Sequence, residues 1–232
     1  MNFSNIILNW YAINGRELPW RQTTDPYAIW LSEVIMQQTK IAQGTAYWER
    51  FIKRWPNVQS LANATEDEVL REWQGLGYYS RARNLHKAAQ QIVDLGYFPQ
   101  TYNELIQLKG IGEYIAAAVY SIAFAGPVAV VDGNVYRVLA RFFGIEIPID
   151  STQGKKIFKA IAQDNLPKNA PAAYNQGIMD FGAMQCPPTL PNCKVCPLIE
   201  NCFAANNNKV SSLPIKTKKT KQRERHFSYI YI

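Results

Sequence analysis

Apolar positions recur at three- and four-residue intervals along most of the chain, and helix start and stop residues bracket the runs. Asp25-Pro26 reads as an N-cap with proline at the first helical position, opening a pattern over residues 27–39. Thr65 with Glu68 and Thr101 with Glu104 have the spacing of capping boxes. Gly75-Leu76-Gly77 breaks one helix before the pattern resumes over residues 79–93. Residues 152–165 and 172–184 predict two more helices, fenced by Pro167 and Pro171. Only residues 128–131 and 227–232 read as strand-like. Tyr47, Trp48, Phe51 and Trp55 follow helical spacing and are expected in a core, while His86 is expected at a surface or as a capping partner. The pattern predicts a mostly helical chain.

Composition adds little to this picture. At 47% apolar and 19% charged residues, 232 residues suffice for one large domain or two compact ones. The N-terminus has neither the basic start nor the apolar core of a signal peptide, and no stretch reaches the roughly 18 apolar residues a membrane span needs. A cytosolic location is expected, with the nucleoid if the source is bacterial, and stable disulfides are uncommon there. The net charge of +7 is uneven: +6 lies beyond residue 206, and residues 1–206 carry only +1. A Lys-rich run near a terminus suits a solvated linker, so bulk charge does not make a nucleic-acid case. The segment over residues 206–225 is basic and Thr-rich, and with the strand-like residues 227–232 it reads either as a linker entering a further module or as a frayed tail.

The cysteines are more specific. Cys186, Cys193, Cys196 and Cys202 follow C-x6-C-x2-C-x5-C among prolines that fix a loop. Two disulfides would suit an oxidising compartment and would make the Cys193/Cys196 loop tight. Four thiolates suit either tetrahedral zinc or an iron–sulfur cubane. Zinc ribbons pair two C-x2-C knuckles, whereas this loop has one.

Two other stretches carry candidate chemistry. Leu108-Lys109-Gly110-Ile111-Gly112-Glu113-Tyr114 sits between two predicted helices, the form of a helix–hairpin–helix. Free amides and the positive end of the second helix would suit a phosphate there. Val131-Asp132-Gly133-Asn134-Val135 precedes a helix running to Phe143, where Asp132 fits an N-cap. Glu33 stands among Trp30, Leu31, Val34, Ile35 and Met36, so it either faces solvent or sits in a partly buried pocket. Burial would raise its pKa and suit it to general-acid work.

Together these pieces resemble the helix–hairpin–helix DNA glycosylases of the endonuclease III superfamily, and within it the adenine-specific, MutY-type family. The words that carry the resemblance run from about Trp10 to Lys219: Leu18-Pro19-Trp20-Arg21, Ser32-Glu33-Val34 with Gln37-Gln38-Thr39, residues 75–85, the hairpin, residues 131–135 and the cysteines. The resemblance implies a two-domain, all-α fold: a six-helix barrel domain over residues 22–130 with the hairpin, and a 4Fe-4S cluster domain from residues 1–21 and 131–205. Residues 206–232 would then be a linker and the start of a Nudix-like C-terminal module that this chain lacks.

The activity it implies is excision of adenine mispaired with 8-oxoguanine or guanine, by flipping the adenine out of double-stranded DNA. Glu33 matches the acid that protonates adenine N7, and Asp132 the carboxylate that stabilises the oxocarbenium-like sugar. Asn134 and Tyr114 match residues positioning this pair, and Arg16, Leu18, Trp20 and Gln176 the adenine-pocket walls. Gln38 and Tyr78 match residues inserted into the base stack, Gly110 and Gly112 a phosphate site, and Lys194 a basic residue on the cluster loop facing DNA. Bifunctional relatives carry a lysine where this chain has Tyr114, so a monofunctional glycosylase is implied; a monomer is expected. The rivals are a mismatch thymine glycosylase, a bifunctional enzyme for oxidised pyrimidines, and a non-catalytic DNA-binding or redox module.

Overall fold

The computed structural model describes residues 2–217. Among them the chain forms twelve α-helices: α1 (Phe3–Asn14), α2 (Pro26–Ile35), α3 (Ile41–Arg54), α4 (Val58–Ala62), α5 (Glu66–Glu72), α6 (Ser80–Leu95), α7 (Tyr102–Leu105), α8 (Glu113–Phe124), α9 (Gly133–Phe143), α10 (Thr152–Asp164), α11 (Pro171–Met184) and α12 (Phe203–Asn206). Local chemistry sets their boundaries. The Asp25 carboxylate accepts from the Tyr27 amide with Pro26 following, and Thr65–Glu68 and Thr101–Glu104 close as reciprocal capping boxes.

Two expectations are corrected. Helix α2 ends at Ile35 rather than near Thr39. The next residues turn sharply, and Gln38 takes a positive φ of 56°. Residues 128–131 form no strand, and among the described residues no strand lies beside them. Side-chain amides substitute for a partner strand: Gln163 Oε1 accepts from the Ala129 amide, Asn175 Oδ1 accepts from the Val130 amide, and Asn175 Nδ2 donates to the Val128 carbonyl. The strand expected over residues 227–232 lies outside the described residues. Of the two expectations for His86, surface residue or capping partner, the structure takes the second: it is buried, with Nε2 bonded to the Ala64 carbonyl just beyond α4.

Two apolar cores organise the chain. The first gathers α2 to α6 around Trp30, Phe51, Trp55 and Trp73, with Tyr47 and Trp48 packed against it. The second gathers α1, α9, α10 and α11 around Ile7, Leu139, Phe158 and Phe181. Helix α8 serves both: Ile115, Ala116 and Val119 face the first, and Ala117 and Ala118 the second. Its three consecutive alanines let α2 and α11 approach closely from opposite sides. Tyr114, in the first turn of α8, touches both cores, and the cleft between them opens there.

Candidate active site and cysteine loop

Glu33 is the one charged residue inside α2, whose other residues are nearly all buried. It faces a cavity of about 360 Å³ lined also by Gln37, Gln38, Tyr114, Asp132 and Tyr136. This is within the range of about 300–1,000 Å³ typical of small-molecule pockets. The Tyr114 hydroxyl donates to Glu33 Oε2 at 2.8 Å. Burial raises the Glu33 pKa, opposed by the Tyr114 hydrogen bond and the Arg21 charge and reinforced by Asp132. Burial and the neighbouring charges of Glu33 and Asp132 also push the Tyr114 phenol well above its ordinary range, so it stays a neutral donor.

Asp132 caps α9. One carboxylate oxygen accepts from the backbone amides of Asn134 and Val135, at 2.9 and 2.8 Å, and the other from Asn134 Nδ2 at 2.8 Å. The N-cap and the functional reading of Asp132 are therefore compatible, since the cap holds the carboxylate at the cavity wall. Arg137 Nη2 donates to Asn134 Oδ1 and fixes that amide in turn. Burial raises the Asp132 pKa against these bonds.

The other expected residues fall in separate places. Gln38 is on the cavity lining, and Tyr78 is 66% exposed at the break before α6. Both are non-glycine residues with positive φ, 56° and 46°, a backbone strain that has to be held by the surroundings. Arg81 does so: its guanidinium donates to the carbonyls of Val34, Ile35 and Gln37 on one side and of Leu76 and Gly77 on the other. Gly110 has φ 76°, and a Cβ there would lie 2.5 Å from Asn84 Cβ, so the hairpin needs glycine. Gly112 caps α8 with open space beside it, its amide end undecorated by any side chain.

Arg16, Leu18, Trp20 and Gln176 do not line the Glu33 cavity. Leu18 and Trp20 are buried, Trp20 against Trp48 with ring centroids 5.8 Å apart. Tyr11 donates to Gln176 Oε1 at 2.6 Å. Sequence reasoning gave no role to Asp180, which is fully buried in α11 and accepts from the Arg16 amide and guanidinium and from both terminal nitrogens of Arg21. Arg21 in turn acts on Glu33. The signal available was a lone acid in the apolar run Gly177-Ile178-Met179-Asp180-Phe181.

The four cysteines are free thiols, each partly buried, and Cys186, Cys196 and Cys202 pack against the second core. Among the described residues, no group of three or more His, Cys, Asp or Glu side chains is placed to hold a metal ion. The loop nevertheless has the donor chemistry of a thiolate site. Arg141 Nη1 donates to Cys186 Sγ at 3.3 Å, and the amides of Leu198, Ala204 and Ala205 point at the sulfurs of Cys196 and Cys202. Burial pushes the Cys196 thiol up to about 11, so an uncoordinated loop keeps that proton. Lys194 stands exposed in the 3-10 turn Cys193–Val195.

Residues 31–166 match the family described as HhH-GPD superfamily base excision DNA repair protein. The chain is 39% identical over 220 residues to an adenine DNA glycosylase of Buchnera aphidicola subsp. Schizaphis graminum, covering 94% of this chain and 63% of that protein. It is 39% identical over 213 residues to adenine DNA glycosylase of Homo sapiens, covering 87% and 39%. The chain thus spans less than two thirds of the length of these curated relatives. Among solved structures, a thermostable thymine-DNA glycosylase superposes with a TM-score of 0.82 at 27% identity, covering 88% of this chain and 95% of that one. A non-covalent endonuclease III–DNA complex superposes with a TM-score of 0.74 at 22% identity, covering 88% and 94%, a likeness of fold.

Proposed function

The chain belongs to the HhH-GPD superfamily of base excision DNA repair proteins, and from that membership we propose that it is a monofunctional glycosylase excising adenine mispaired with 8-oxoguanine or guanine. The observation that carries this reading is the pairing of Glu33 and Asp132 on one cavity, with Tyr114 rather than an amine between them. Likeness to adenine DNA glycosylases over nearly the whole chain supports the choice of base.

In this reading the flipped adenine enters the cavity, and Glu33, whose protonated form burial favours, gives its proton to N7. The glycosidic C–N bond then breaks with its electron pair leaving on the base. Positive charge develops on the sugar and is faced by the Asp132 carboxylate, which Asn134 and two backbone amides hold in place. Water adds to the sugar carbon, and its proton passes to solvent or back to Glu33. Tyr114 offers no amine for a Schiff base, so strand scission does not accompany excision. Arg16, Leu18, Trp20 and Gln176 lie off the lining of the Glu33 cavity and would bear on the base site only from behind it; Gln38 and Tyr78 would enter the stack, and the amides at Gly110 and Gly112 would take a backbone phosphate.

The cysteine loop suits a 4Fe-4S cluster, with Cys186, Cys193, Cys196 and Cys202 as ligands. A cubane spreads four thiolates over four irons, and the amide and arginine donors around the sulfurs would offset their charge. When bound, the cluster supplies a rigid clamp that presents Lys194 to the DNA backbone. The two cores would then act as a barrel domain over residues 22–130 and a cluster domain from residues 1–21 and 131–205, working as a monomer.

The runner-up is excision of thymine from T·G, favoured by the fold likeness to a thymine-DNA glycosylase. Parallel assays on A·8-oxoguanine, A·G and T·G duplexes separate the two. The proposal expects free adenine from the first two and no thymine from the third; thymine release alone would overturn it.

A further inference from the structure

A second cavity, of about 330 Å³, lies between the hairpin and α10. It shares Tyr114, Val131 and Tyr136 with the Glu33 cavity, so one layer of side chains separates the two. Its rim is basic: Lys155, Lys156 and Lys159 of α10 line it, against the single carboxylate of Glu113. Glu113 is the first residue of α8, directly after Gly112, and its Oε2 accepts from Lys159 Nζ at 3.0 Å. Lys155 and Lys156 have no ion-pair partner among the described residues, and both are exposed.

We propose that this cavity binds a backbone phosphate of the damaged DNA strand, next to the phosphate taken by the hairpin. The inference rests on the glycosylase reading above and deepens it. Three features meet at the start of α8: the free amide end at Gly112, the wall of the base cavity at Tyr114, and the lysine cavity at Glu113. In this proposal a strand that delivers its flipped base past Tyr114 and seats one phosphate on the hairpin runs its next phosphates past this rim. Lysine ammonium groups on flexible stems suit such a contact as point charges. In the free protein Glu113 occupies Lys159, and a phosphate would replace that carboxylate.

The test is the salt dependence of binding to a duplex with a tetrahydrofuran abasic analogue opposite 8-oxoguanine, which cannot be excised. Each phosphate contact contributes about 0.9 to the slope of log K against log salt. The double variant Lys155→Gln with Lys156→Gln is expected to make that slope shallower by about 1 to 2 and to weaken binding about tenfold near 150 mM salt. Glu113→Gln, which frees Lys159, is expected to tighten binding. A control pair, Lys53→Gln with Lys87→Gln, removes the same charge from α3 and α6 and should leave the slope near wild type. An unchanged slope in the α10 variant, or an equal change in the control, overturns the site. Adenine excision with enzyme in excess is read on the wild type and on the Lys53→Gln with Lys87→Gln control, which should stay within about twofold of each other because neither lysine lines either cavity. If the wild type excises no adenine, the parent reading fails, while the slopes still judge the phosphate site.

Discussion

Glu33, Tyr114 and Asp132 have opposite protonation requirements, and burial shapes all three. In the proposed reaction Glu33 acts only while protonated, and its raised pKa extends that form to higher pH. Asp132 would act in that reaction only while ionised, although burial raises its pKa too. The excision rate should therefore follow a bell, falling at high pH as Glu33 loses its proton and at low pH as Asp132 gains one. Single-turnover rates across pH check this, and a rate still climbing well above neutrality would contradict it. The Tyr114 hydrogen bond favours the Glu33 carboxylate, so Tyr114→Phe should raise the Glu33 pKa further. The alkaline limb of the profile should move to higher pH in that variant; a shift to lower pH would remove Tyr114 from the reaction.

At the scale of elements, two arginine clusters hold the frame around the cavity. Arg81 ties the end of α2 to the turn before α6, so Arg81→Ala should cost about 2–3 kcal/mol, as lost bonds from a charged group do. It should also loosen Gln38 and Tyr78 together; thermal melting and duplex affinity report the two effects. Asp180 joins the segment with Arg16 and Arg21 to α11. Burial alone would raise its pKa, but the hydrogen bonds and charges of Arg21 and Arg16 outweigh burial and hold it below the usual aspartate range. Its stabilisation is thus present above the ordinary aspartate pKa and is lost as pH falls through the lowered one. Asp180→Asn should cost about 3–5 kcal/mol by leaving two arginines short of their partner, measurable as a drop in urea midpoint that narrows in acid. These networks also mark what the sequence could not show. Caps at Asp25, Thr65 and Thr101 were readable because the partners lie within three residues. Glu33 was visible as a charge in an apolar helix, yet its burial depended on α8, some 80 residues onward. The end of α2 and the strand-like residues 128–131 were misread for the same reason: Arg81, Gln163 and Asn175 supply their hydrogen bonds from distant helices.

At the scale of the molecule, α8 joins two cores, and the cleft at its first turn sets Glu33 from the first core opposite Asp132 from the second. Motion of one core against the other would separate acid from carboxylate. In the proposed reading the cysteine loop, packed on the second core through Cys186, Cys196 and Cys202, stiffens that core and the turn that carries Lys194. Purified protein should contain about four irons per chain with matching sulfide, and Cys196→Ser should lower iron content and duplex affinity together. Iron-free protein with full affinity would contradict the clamp. The central claim, that Glu33 and Asp132 hydrolyse adenine from mispaired DNA, is tested most directly by single-turnover release of free adenine from an A·8-oxoguanine duplex. Wild type should release adenine and break the strand only after alkali. Glu33→Gln should bind the duplex normally yet release adenine about 10²- to 10⁴-fold more slowly, the loss typical of a general acid; release at the wild-type rate would contradict the account.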